Sequence, residues 1–340
     1  MILLMKYKCI LTLFVFLFIA IACNHSNTKN IQDLDYTNIK FSELPLDVFL
    51  GRPSQILVKD SLFFIIDRTD EKLITIFDYK NNKLIKRIFS IGQGPNDLLW
   101  PIITSLDDNL LSIFERQNGR YRQYKIQDLL NSDSISCVNE IIFENSDRLA
   151  QTKNGFVTSG FYDRDVYCLL NKKGEIIHYL DPFDGKFNAL NIAEKFKVEQ
   201  GVLNFCKQTN MLAIATYFTG DIFIYIFNDK NNSFEKKSIS LTNKKITTNN
   251  SDMNFNENTI YHSSDICSAN NTIYVLYNGF PMKERAINSD RYILSIDSEG
   301  KLKKIFKTRQ NIEAIYVADN CIYAISVNKD GEYVVVMFEL

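Results

Sequence analysis

A short apolar segment recurs six times along this chain of 340 residues, and its spacing limits the folds that the chain can adopt. Successive segments begin 46 to 61 residues apart and are rich in Ile, Val, Phe and Tyr, which favour strands. They are Leu62–Asp67, Asn109–Phe114, Gly155–Phe161, Met211–Tyr217, Thr272–Tyr277 and Cys321–Ser326. Asp or Asn residues precede each segment, and these residue types suit tight hairpin turns because they tolerate left-handed backbone geometry. The pattern therefore predicts six repeats, each containing a hairpin.

Two further series of apolar segments follow at a similar spacing. One occurs in all six repeats: Leu73–Asp78, Tyr121–Ile126, Val166–Asn171, Asp221–Asn228, Arg291–Asp297 and Glu332–Phe338. The other occurs in five: Leu84–Ile91, Cys137–Phe143, Ile176–Leu180, Phe234–Leu241 and Leu302–Lys307. With a strand before each hairpin, such as Ser54–Asp60, every complete repeat has four strands, and helical patterning is limited to Ile126–Leu130 and Ala189–Phe196. The sequence therefore predicts an all-β fold, a six-bladed β-propeller with four-stranded antiparallel blades. A β-sandwich with irregular repeats is the alternative.

The sixth repeat ends at Leu340 before a fourth strand, which would leave an unpaired sheet edge. The segment Tyr36–Phe41 belongs to no repeat and can pair with that edge. We therefore expect an N-terminal strand to close the last blade and with it the ring, so that the propeller spans residues 36–340.

The first 23 residues have the pattern of an export signal. Lys6 and Lys8 lie beside the apolar run Cys9–Ala22, which is too short to span a bilayer comfortably. The run ends in AIA before Cys23, which resembles the lipobox of bacterial lipoproteins, where the cysteine carries the lipid. An ordinary signal peptide with a chance cysteine is the alternative. We expect a lipoprotein signal peptide over residues 1–23, lipidation at Cys23, a flexible tether over residues 24–35, and membrane attachment through the lipid.

A glycine-containing loop with a distinctive composition ends the first repeat. It reads GQGPND from Gly92 to Asp97 and is followed by Leu98. This loop, the opening triplet GRP that begins at Gly51, and the runs Ile65–Asp67 and Ile76–Asp78 resemble the TolB-like six-bladed propeller lipoproteins of Bacteroidetes. In those proteins a G-x-G-P-x-E segment closes the first blade, whereas Asp97 stands here at the Glu position. The resemblance extends from Gly51 to the C-terminus and implies fold and location, but no activity.

The tether bears on which side of the membrane the protein occupies. Surface-displayed lipoproteins of such bacteria often carry acidic residues directly after the lipidated cysteine, whereas NHSNTK follows Cys23 here. We therefore expect a protein anchored in the cell envelope, on the periplasmic side of the outer membrane rather than on the cell surface.

The glycine loop does not match a phosphate-binding loop. It lacks a third glycine, and Pro95 has no backbone N–H to donate. The glycines are better explained by a tight passage of the chain from blade one to blade two. The net charge of −1 gives no reason to expect a nucleic-acid partner.

Residue types used in catalysis or metal binding form no recognised motif. GxSxG and HExxH are absent, and His178 and His262 each stand alone, so we interpret both as structural. Five cysteines lie beyond the export signal, in apolar runs without a CxxC pair: Cys137, Cys168, Cys206, Cys267 and Cys321. We expect them to be core residues. A disulfide between Cys206 and Cys267 is possible in an exported protein, and the sequence does not decide whether it forms. Neither a metal nor a cofactor is expected.

Strand direction in a propeller indicates a candidate binding surface. Loops between blades and loops joining second to third strands lie on one face, because strands alternate in direction. Arg68, Arg116 and Arg164 occupy equivalent loops of the second kind, beside the loop that leads from Gly92 to Trp100. Guanidinium groups bind carboxylates and sulfates through paired hydrogen bonds, so we predict an arginine-lined rim that binds a carboxylate, a sulfate or a sugar acid.

In the alternative interpretation, each arginine pairs with acidic neighbours in its own loop: Asp70, Glu115, Asp163 or Asp165. The residues predicted to bind ligand are Arg68, Arg116, Arg164, Gly92, Gln93, Gly94, Asn96 and Trp100.

Two functions from different classes fit these observations. The preferred one is a binding or scaffolding module that presents its loop face to a glycan, a peptide or an envelope protein. The longer insertions Asp181–Glu199, Asn243–His262 and Gly279–Asp290 would shape or cover that face. The alternative is a propeller hydrolase or lyase that acts on an oligosaccharide or a lactone in the envelope. A convergent cluster of acids or a metal in the central funnel would distinguish the enzyme from the binding module.

Overall fold

The structure is a computed structural model that describes residues 30–69, 71–107, 109–132, 134–228, 233–242, 255–284 and 290–340. Two short strands come first, β1 (Thr37–Asn38) and β2 (Ser42–Glu43). Blade one follows with β3 (Pro53–Lys59), β4 (Leu62–Thr69), β5 (Lys72–Asp78) and β6 (Lys83–Ser90). Blade two consists of β7 (Pro101–Leu106), β8 (Leu110–Glu115), β9 (Arg120–Lys125) and β10 (Cys137–Ile142), with helix α1 (Ile126–Asn131) before its last strand. Blade three consists of β11 (Ser146–Gln151), β12 (Gly155–Gly160), β13 (Tyr167–Asn171) and β14 (Ile176–Leu180).

Helix α2 (Ile192–Glu199) then leads into the second half of the ring. Blade four consists of β15 (Gly201–Cys206), β16 (Met211–Thr216), β17 (Asp221–Asn228) and β18 (Ser233–Ser240). Blade five consists of β19 (Ile260–Ala269), β20 (Thr272–Pro281), β21 (Arg291–Ile296) and β22 (Leu302–Thr308). Blade six contains β23 (Asn311–Ala318), β24 (Cys321–Val327) and β25 (Tyr333–Glu339). Short 3₁₀ turns lie at Ile31–Asp33 and Met282–Glu284.

The strands of each blade pair antiparallel in chain order, and the first strands of successive blades contact one another around a closed ring. This arrangement confirms the predicted six-bladed propeller and excludes a sandwich of two stacked sheets. The predicted hairpin chemistry is also confirmed. Asp60 and Asn210 have positive φ angles of 55°, and both Asn270 and Asn271 lie in the left-handed region, as a type I′ turn requires.

Apolar packing between neighbouring blades forms the core. The described residues contain six buried apolar clusters, and each joins one blade to the next around the ring. Second strands lie within this packing on both faces, as in β16, where every residue is buried. Each blade therefore depends on both of its neighbours for the burial of its apolar side chains.

An N-terminal strand completes the last blade, which confirms the predicted closure. Strand β2 pairs antiparallel with β25, and Leu44 N donates to Val335 O at 2.9 Å. The pairing residues, Ser42–Glu43, lie just beyond the predicted segment. Within that segment, β1 instead pairs parallel with β22 as a fifth strand of blade five.

Phe41 explains this shift in the pairing. Its side chain is buried in the cluster between blades five and six, where its ring centroid lies 6.0 Å from that of Phe338. The side chain of Gln310 accepts a hydrogen bond from Phe41 N and donates one to Phe41 O. The segment therefore crosses from blade five to blade six rather than running along blade six alone.

None of the helices among the described residues is long and apolar enough to cross a membrane.

The five cysteines beyond the export signal all lie in the described part of the chain and are free thiols, so Cys206 and Cys267 do not form a disulfide. Cys168, Cys206 and Cys267 are buried as expected, whereas Cys137 is exposed because it lies on the outermost strand of blade two.

The insertion Asp181–Glu199 covers blade three on the loop face, as expected; the other two insertions extend outside the described residues. Asn191 and Glu194 form a capping box at the start of α2. Phe196 of this helix packs on Phe161, with ring centroids 4.3 Å apart. Because Phe161 follows β12, the helix covers the loop between the second and third strands of this blade.

Buried charged side chains fix α2 to the blade. Lys195 Nζ donates to Asp165 Oδ1 at 2.6 Å and to Asn188 Oδ1 at 2.9 Å. Glu199 is completely buried; neither carboxylate oxygen accepts a hydrogen bond, and Lys195 Nζ lies 4.0 Å away. Burial raises the pKa of Glu199 to about 8, so its side chain is mostly protonated at neutral pH.

We expect Glu199→Gln to remove a pH-dependent loss of stability. The pKa of Glu199 rises from an ordinary value of 4.5 to about 8 on folding. Stability from this group is therefore complete below pH 4.5 and is lost as the pH rises toward 8. The free energy of unfolding of the variant minus that of the wild type should therefore be roughly 3 kcal/mol larger at pH 7 than at pH 4.5. Urea unfolding across this range measures the effect, with exposed Glu144→Gln as control. Parallel pH profiles of the wild type and Glu199→Gln would contradict the expectation.

Candidate functional site

Charged and aromatic side chains line a cavity at the end of the ring where the inner strands begin. The cavity has a volume of about 400 Å³ and lies between the first strands of blades one to five and loops on the same face. Four arginines line it: Arg52, Arg68, Arg116 and Arg148. Its other charged or aromatic lining residues are Trp100, Tyr217, Tyr261 and Asp265. We call this cavity the arginine funnel.

The structure brings together three of the eight predicted ligand-binding residues. Arg68, Arg116 and Trp100 all line the arginine funnel. Arg68 comes from the end of β4, Arg116 directly follows β8, and Trp100 directly precedes β7. The loops that strand direction predicted to share one face therefore do contribute to one cavity.

Arg164 does not reach the arginine funnel. It lines a separate cavity of about 750 Å³ beside blades three and four, and its side chain is 77% exposed. Its Nε lies 3.5 Å from Asp165 Oδ2, as the alternative of local pairing expected. The loop of blade three differs from its equivalents because Phe161 packs on α2.

Arg148, which the sequence analysis missed, provides the third blade's guanidinium group. It lies on inner strand β11, which reads SDRLAQ and is too polar for a single arginine to stand out. Its Nη2 donates to the hydroxyl oxygen of Tyr217 at 2.7 Å.

Glu115, an expected partner of Arg116, instead accepts a hydrogen bond from Leu99 N at 3.1 Å. Asp70, an expected partner of Arg68, lies outside the described residues.

The glycine loop folds around Asp97 rather than lining the funnel. Gly94 N donates to Asp97 Oδ2 at 2.9 Å, and a Cβ atom on Gly92 or Gly94 would lie 2.5 or 2.6 Å from that oxygen. Asn96 Nδ2 donates to the carbonyl oxygen of Ile135, and Gln93 is exposed. The two glycines therefore let the backbone approach the Asp97 carboxylate closely.

Stacking and hydrogen bonds hold the arginines in place. The guanidinium carbon of Arg68 lies 3.5 Å from the centroid of the Trp100 ring, and Arg68 Nη2 donates to Leu99 O at 3.0 Å. Burial and the positive charges of Arg52 and Arg116 lower the pKa of Arg68. The part of this lowering that comes from Arg52 and Arg116 reflects a concentration of positive charge that an anionic ligand would neutralise.

Asp147 joins the guanidinium groups of two neighbouring arginines. Arg116 Nε donates to Asp147 Oδ1 at 3.0 Å, Arg116 Nη2 pairs with the same oxygen, and Arg148 Nε lies 3.5 Å from Asp147 Oδ2. Among the described residues that line the funnel, four are arginines and one, Asp265, is acidic. Positive charge therefore predominates among these lining residues.

The floor of the funnel has a different character. Gln55 bridges β3 and β7 through hydrogen bonds with both backbone groups of Ile103, each at 2.8 Å. Asp265 accepts hydrogen bonds from Ile266 N and Ile315 N, and burial raises its pKa to about 6. The oxygen atoms Asn204 Oδ1 and Ser264 Oγ have no hydrogen-bond partner in the protein. The floor therefore offers hydrogen-bond acceptors.

A second cavity of about 180 Å³ continues from the floor toward the opposite end of the ring. It shares Gln55, Asn204 and Asp265 with the arginine funnel. At this end Lys207 Nζ of blade four lies 2.8 Å from Asp107 Oδ2 of blade two. The ion pair connects blades two and four beside the second cavity.

The two histidines of the domain lie outside the arginine funnel. His262 is buried in β19, where its Nδ1 is 2.7 Å from the hydroxyl oxygen of Tyr277 and burial lowers its pKa to about 4. His178 lies on edge strand β14 and contacts the ring of Phe234. Within the described residues, no three His, Cys, Asp or Glu side chains lie close enough together to hold a metal ion. The guanidinium groups of the funnel are chemically suited to bind an anion.

Gly94→Ala should destabilise the glycine loop by about 1–3 kcal/mol because the new methyl group would collide with the Asp97 carboxylate. Removing that carboxylate in Gly94→Ala/Asp97→Ala should make the glycine substitution less costly than it is in the wild type. Urea unfolding of the wild type, both single variants and the double variant measures this coupling. Additive effects of the two substitutions would show that contact with Asp97 does not explain the glycine.

Comparisons with known proteins agree with this geometry. A model of the family described as TolB-like 6-blade propeller-like matches residues 35–320. None of the curated proteins searched matches the chain. A putative exported protein from Bacteroides fragilis has a similar structure, with a TM-score of 0.57, 12% sequence identity, and coverage of 89% of this chain and 97% of that chain.

Two further solved structures share the fold at low sequence identity. A luciferin-regenerating enzyme matches with a TM-score of 0.51 and 8% identity, over 88% of this chain and 95% of that chain. Raptor from Chaetomium thermophilum matches with a TM-score of 0.50 and 12% identity, over 88% of this chain but 29% of that chain. These structures differ widely in kind, so they support the fold alone. Because the family model matches most of the chain, this protein belongs to the TolB-like six-blade propeller family.

Proposed function

We propose that this protein is an envelope-anchored binding module that recognises an anionic group of a glycan, a peptide or a partner protein in the arginine funnel. The observation that carries the proposal is the convergence of Arg52, Arg68, Arg116 and Arg148 on one open cavity. Hydrogen bonds between arginine and carboxylate or sulfate are charge-assisted and directional. The volume of about 400 Å³ lies within the usual range of small-ligand sites, roughly 300–1,000 Å³.

The preorganisation of the arginines supports binding rather than simple solvation of the loops. Arg68 is stacked on Trp100, and Arg116 and Arg148 share Asp147, so these side chains lose little conformational freedom when a ligand arrives. The arginine that local acidic pairing does explain, Arg164, is the one that lies outside the funnel.

The first 23 residues and one structural neighbour support an extracytoplasmic location. The N-terminal segment has the pattern of a lipoprotein signal, although it lies outside the described residues. The Bacteroides fragilis chain of similar structure is described as a putative exported protein. We propose that Cys23 carries the lipid and that the propeller lies on the periplasmic side of the outer membrane.

The enzymatic alternative has less support. Most glycoside hydrolases use two carboxylates that flank the scissile bond. Asp265 is the one acidic residue among the described residues that line the funnel, and its two oxygens accept backbone hydrogen bonds. The geometry therefore favours a bound anion over acid–base chemistry.

Replacing two funnel arginines should weaken anion binding by 10-fold or more, since each charge-assisted hydrogen bond contributes about 1.5–3 kcal/mol. We would measure binding of polygalacturonate, polyglutamate and dextran sulfate to the wild type and to Arg68→Ala/Arg116→Ala by calorimetry, with uncharged dextran as the ligand control. Arg164→Ala is the matched protein control, because this arginine lies outside the funnel. Failure of all three anions to bind, or equal binding by the double variant, would overturn the proposal.

Lipid anchoring makes a separate prediction. Cys23→Ser should abolish incorporation of labelled palmitate and move the protein from the membrane fraction to the soluble fraction, because the lipid is the proposed anchor. Cys9→Ser, within the apolar run of the signal, should leave both properties unchanged and serves as control. Labelling and membrane association that survive Cys23→Ser would contradict the lipid assignment.

A further inference from the structure

The two halves of the arginine funnel carry opposite hydrogen-bonding character. The guanidinium groups come from blade one (Arg52 and Arg68), blade two (Arg116) and blade three (Arg148). Blades four and five contribute hydrogen-bond acceptors on their inner strands. A ligand that fills the funnel therefore meets donors on one side and acceptors on the other.

The acceptor side consists of Asn204 on β15 and of Ser264 and Asp265 on β19. Asn204 Oδ1 and Ser264 Oγ are buried atoms without a hydrogen-bond partner in the protein. Asn204 Oδ1 can only accept, whereas the Ser264 hydroxyl can accept or donate. Leaving buried polar atoms unpaired is costly, so a ligand that donates hydrogen bonds to both oxygens gains affinity. A sulfate or a simple carboxylate has no hydrogen to donate, whereas a hydroxyl group both donates and accepts.

Aromatic surfaces lie next to both halves. Trp100 is 52% exposed at the rim, with Arg68 stacked on its ring. The rings of Tyr217 and Tyr261 stack on each other with centroids 5.7 Å apart, and both residues line the funnel. The carbon–hydrogen face of a pyranose ring is apolar and packs on flat aromatic rings of this kind.

We infer that the ligand is an acidic saccharide, bound through a hexuronic acid residue whose carboxylate faces the arginines and whose hydroxyl groups face Asn204 and Ser264. This inference rests on the proposed anion recognition and narrows it to one chemical class. An acidic peptide fits less well, because the residue that carries its carboxylate offers a single backbone N–H to the acceptors. A hexuronate has several hydroxyl donors around the same ring as its carboxylate.

The test compares short ligands on the purified protein, of which trigalacturonate and triglutamate are matched in length and net charge. Calorimetry would measure the binding of four ligands. Trigalacturonate and a hyaluronan tetrasaccharide are the acidic saccharides, galactotriose is the uncharged saccharide, and triglutamate is the acidic peptide. We expect at least one acidic saccharide to bind 10-fold or more tightly than triglutamate, and galactotriose not to bind.

Two variants separate this inference from the proposed function. Asn204→Ala/Ser264→Ala should weaken binding of the acidic saccharide by 10-fold or more and leave binding of polyglutamate, which has no hydroxyl groups, unchanged, while Arg68→Ala/Arg116→Ala should weaken both. Thermal unfolding confirms that each variant is folded, and Arg164→Ala is again the control.

The outcomes identify which proposal fails. If triglutamate or dextran sulfate binds in an arginine-dependent way while neither acidic saccharide does, or if the acceptor variant binds the saccharide normally, the saccharide inference is wrong and anion binding stands. If no anionic probe depends on the arginines, both proposals are wrong.

Discussion

Closure of the ring by the N-terminal segment is the constraint on which the rest of the structure depends. Strand β2 provides the last blade with its missing outer strand, and Phe41 fills the cluster between blades five and six. Leu44 and Leu46 pack against the cluster between blades six and one. Because every apolar cluster lies between two blades, loss of this segment would expose apolar surface at the junction and uncouple the first blade from the last.

The arginine funnel is a property of the closed ring rather than of any blade. Each of five blades contributes only one or a few side chains, and the arginines of blades one, two and three come together only through the packing of adjacent inner strands. Asp147 illustrates the point, because it follows the outer strand of blade two, precedes Arg148 on blade three and pairs with Arg116 of blade two. Charge is thus concentrated where the repeats converge.

Much of the fold could be predicted because its determinants are local and repeated. Apolar segments at a regular spacing define the strands, and residues such as Asp60 and Asn210 adopt the positive φ angles that their turns require. The site was harder to predict from the sequence than the fold. Arg68 and Arg116 were identified from strand direction, which is a topological argument, but Arg164 was placed by analogy with them and Arg148 was overlooked. The glycine loop was conspicuous in the sequence, yet its glycines accommodate Asp97, a contact that spacing alone does not reveal.

Periodicity and turn chemistry, which act over a few residues, were sufficient to predict the number of blades, the strands within them, the closing N-terminal strand and the face that carries the loops. They could not predict which arginines share a cavity, because that depends on how Phe161 packs against α2 and on which inner-strand side chains face the axis. The folded ring also places Asn204 and Ser264 across from the arginines, since residues of different blades become neighbours only when the ring closes.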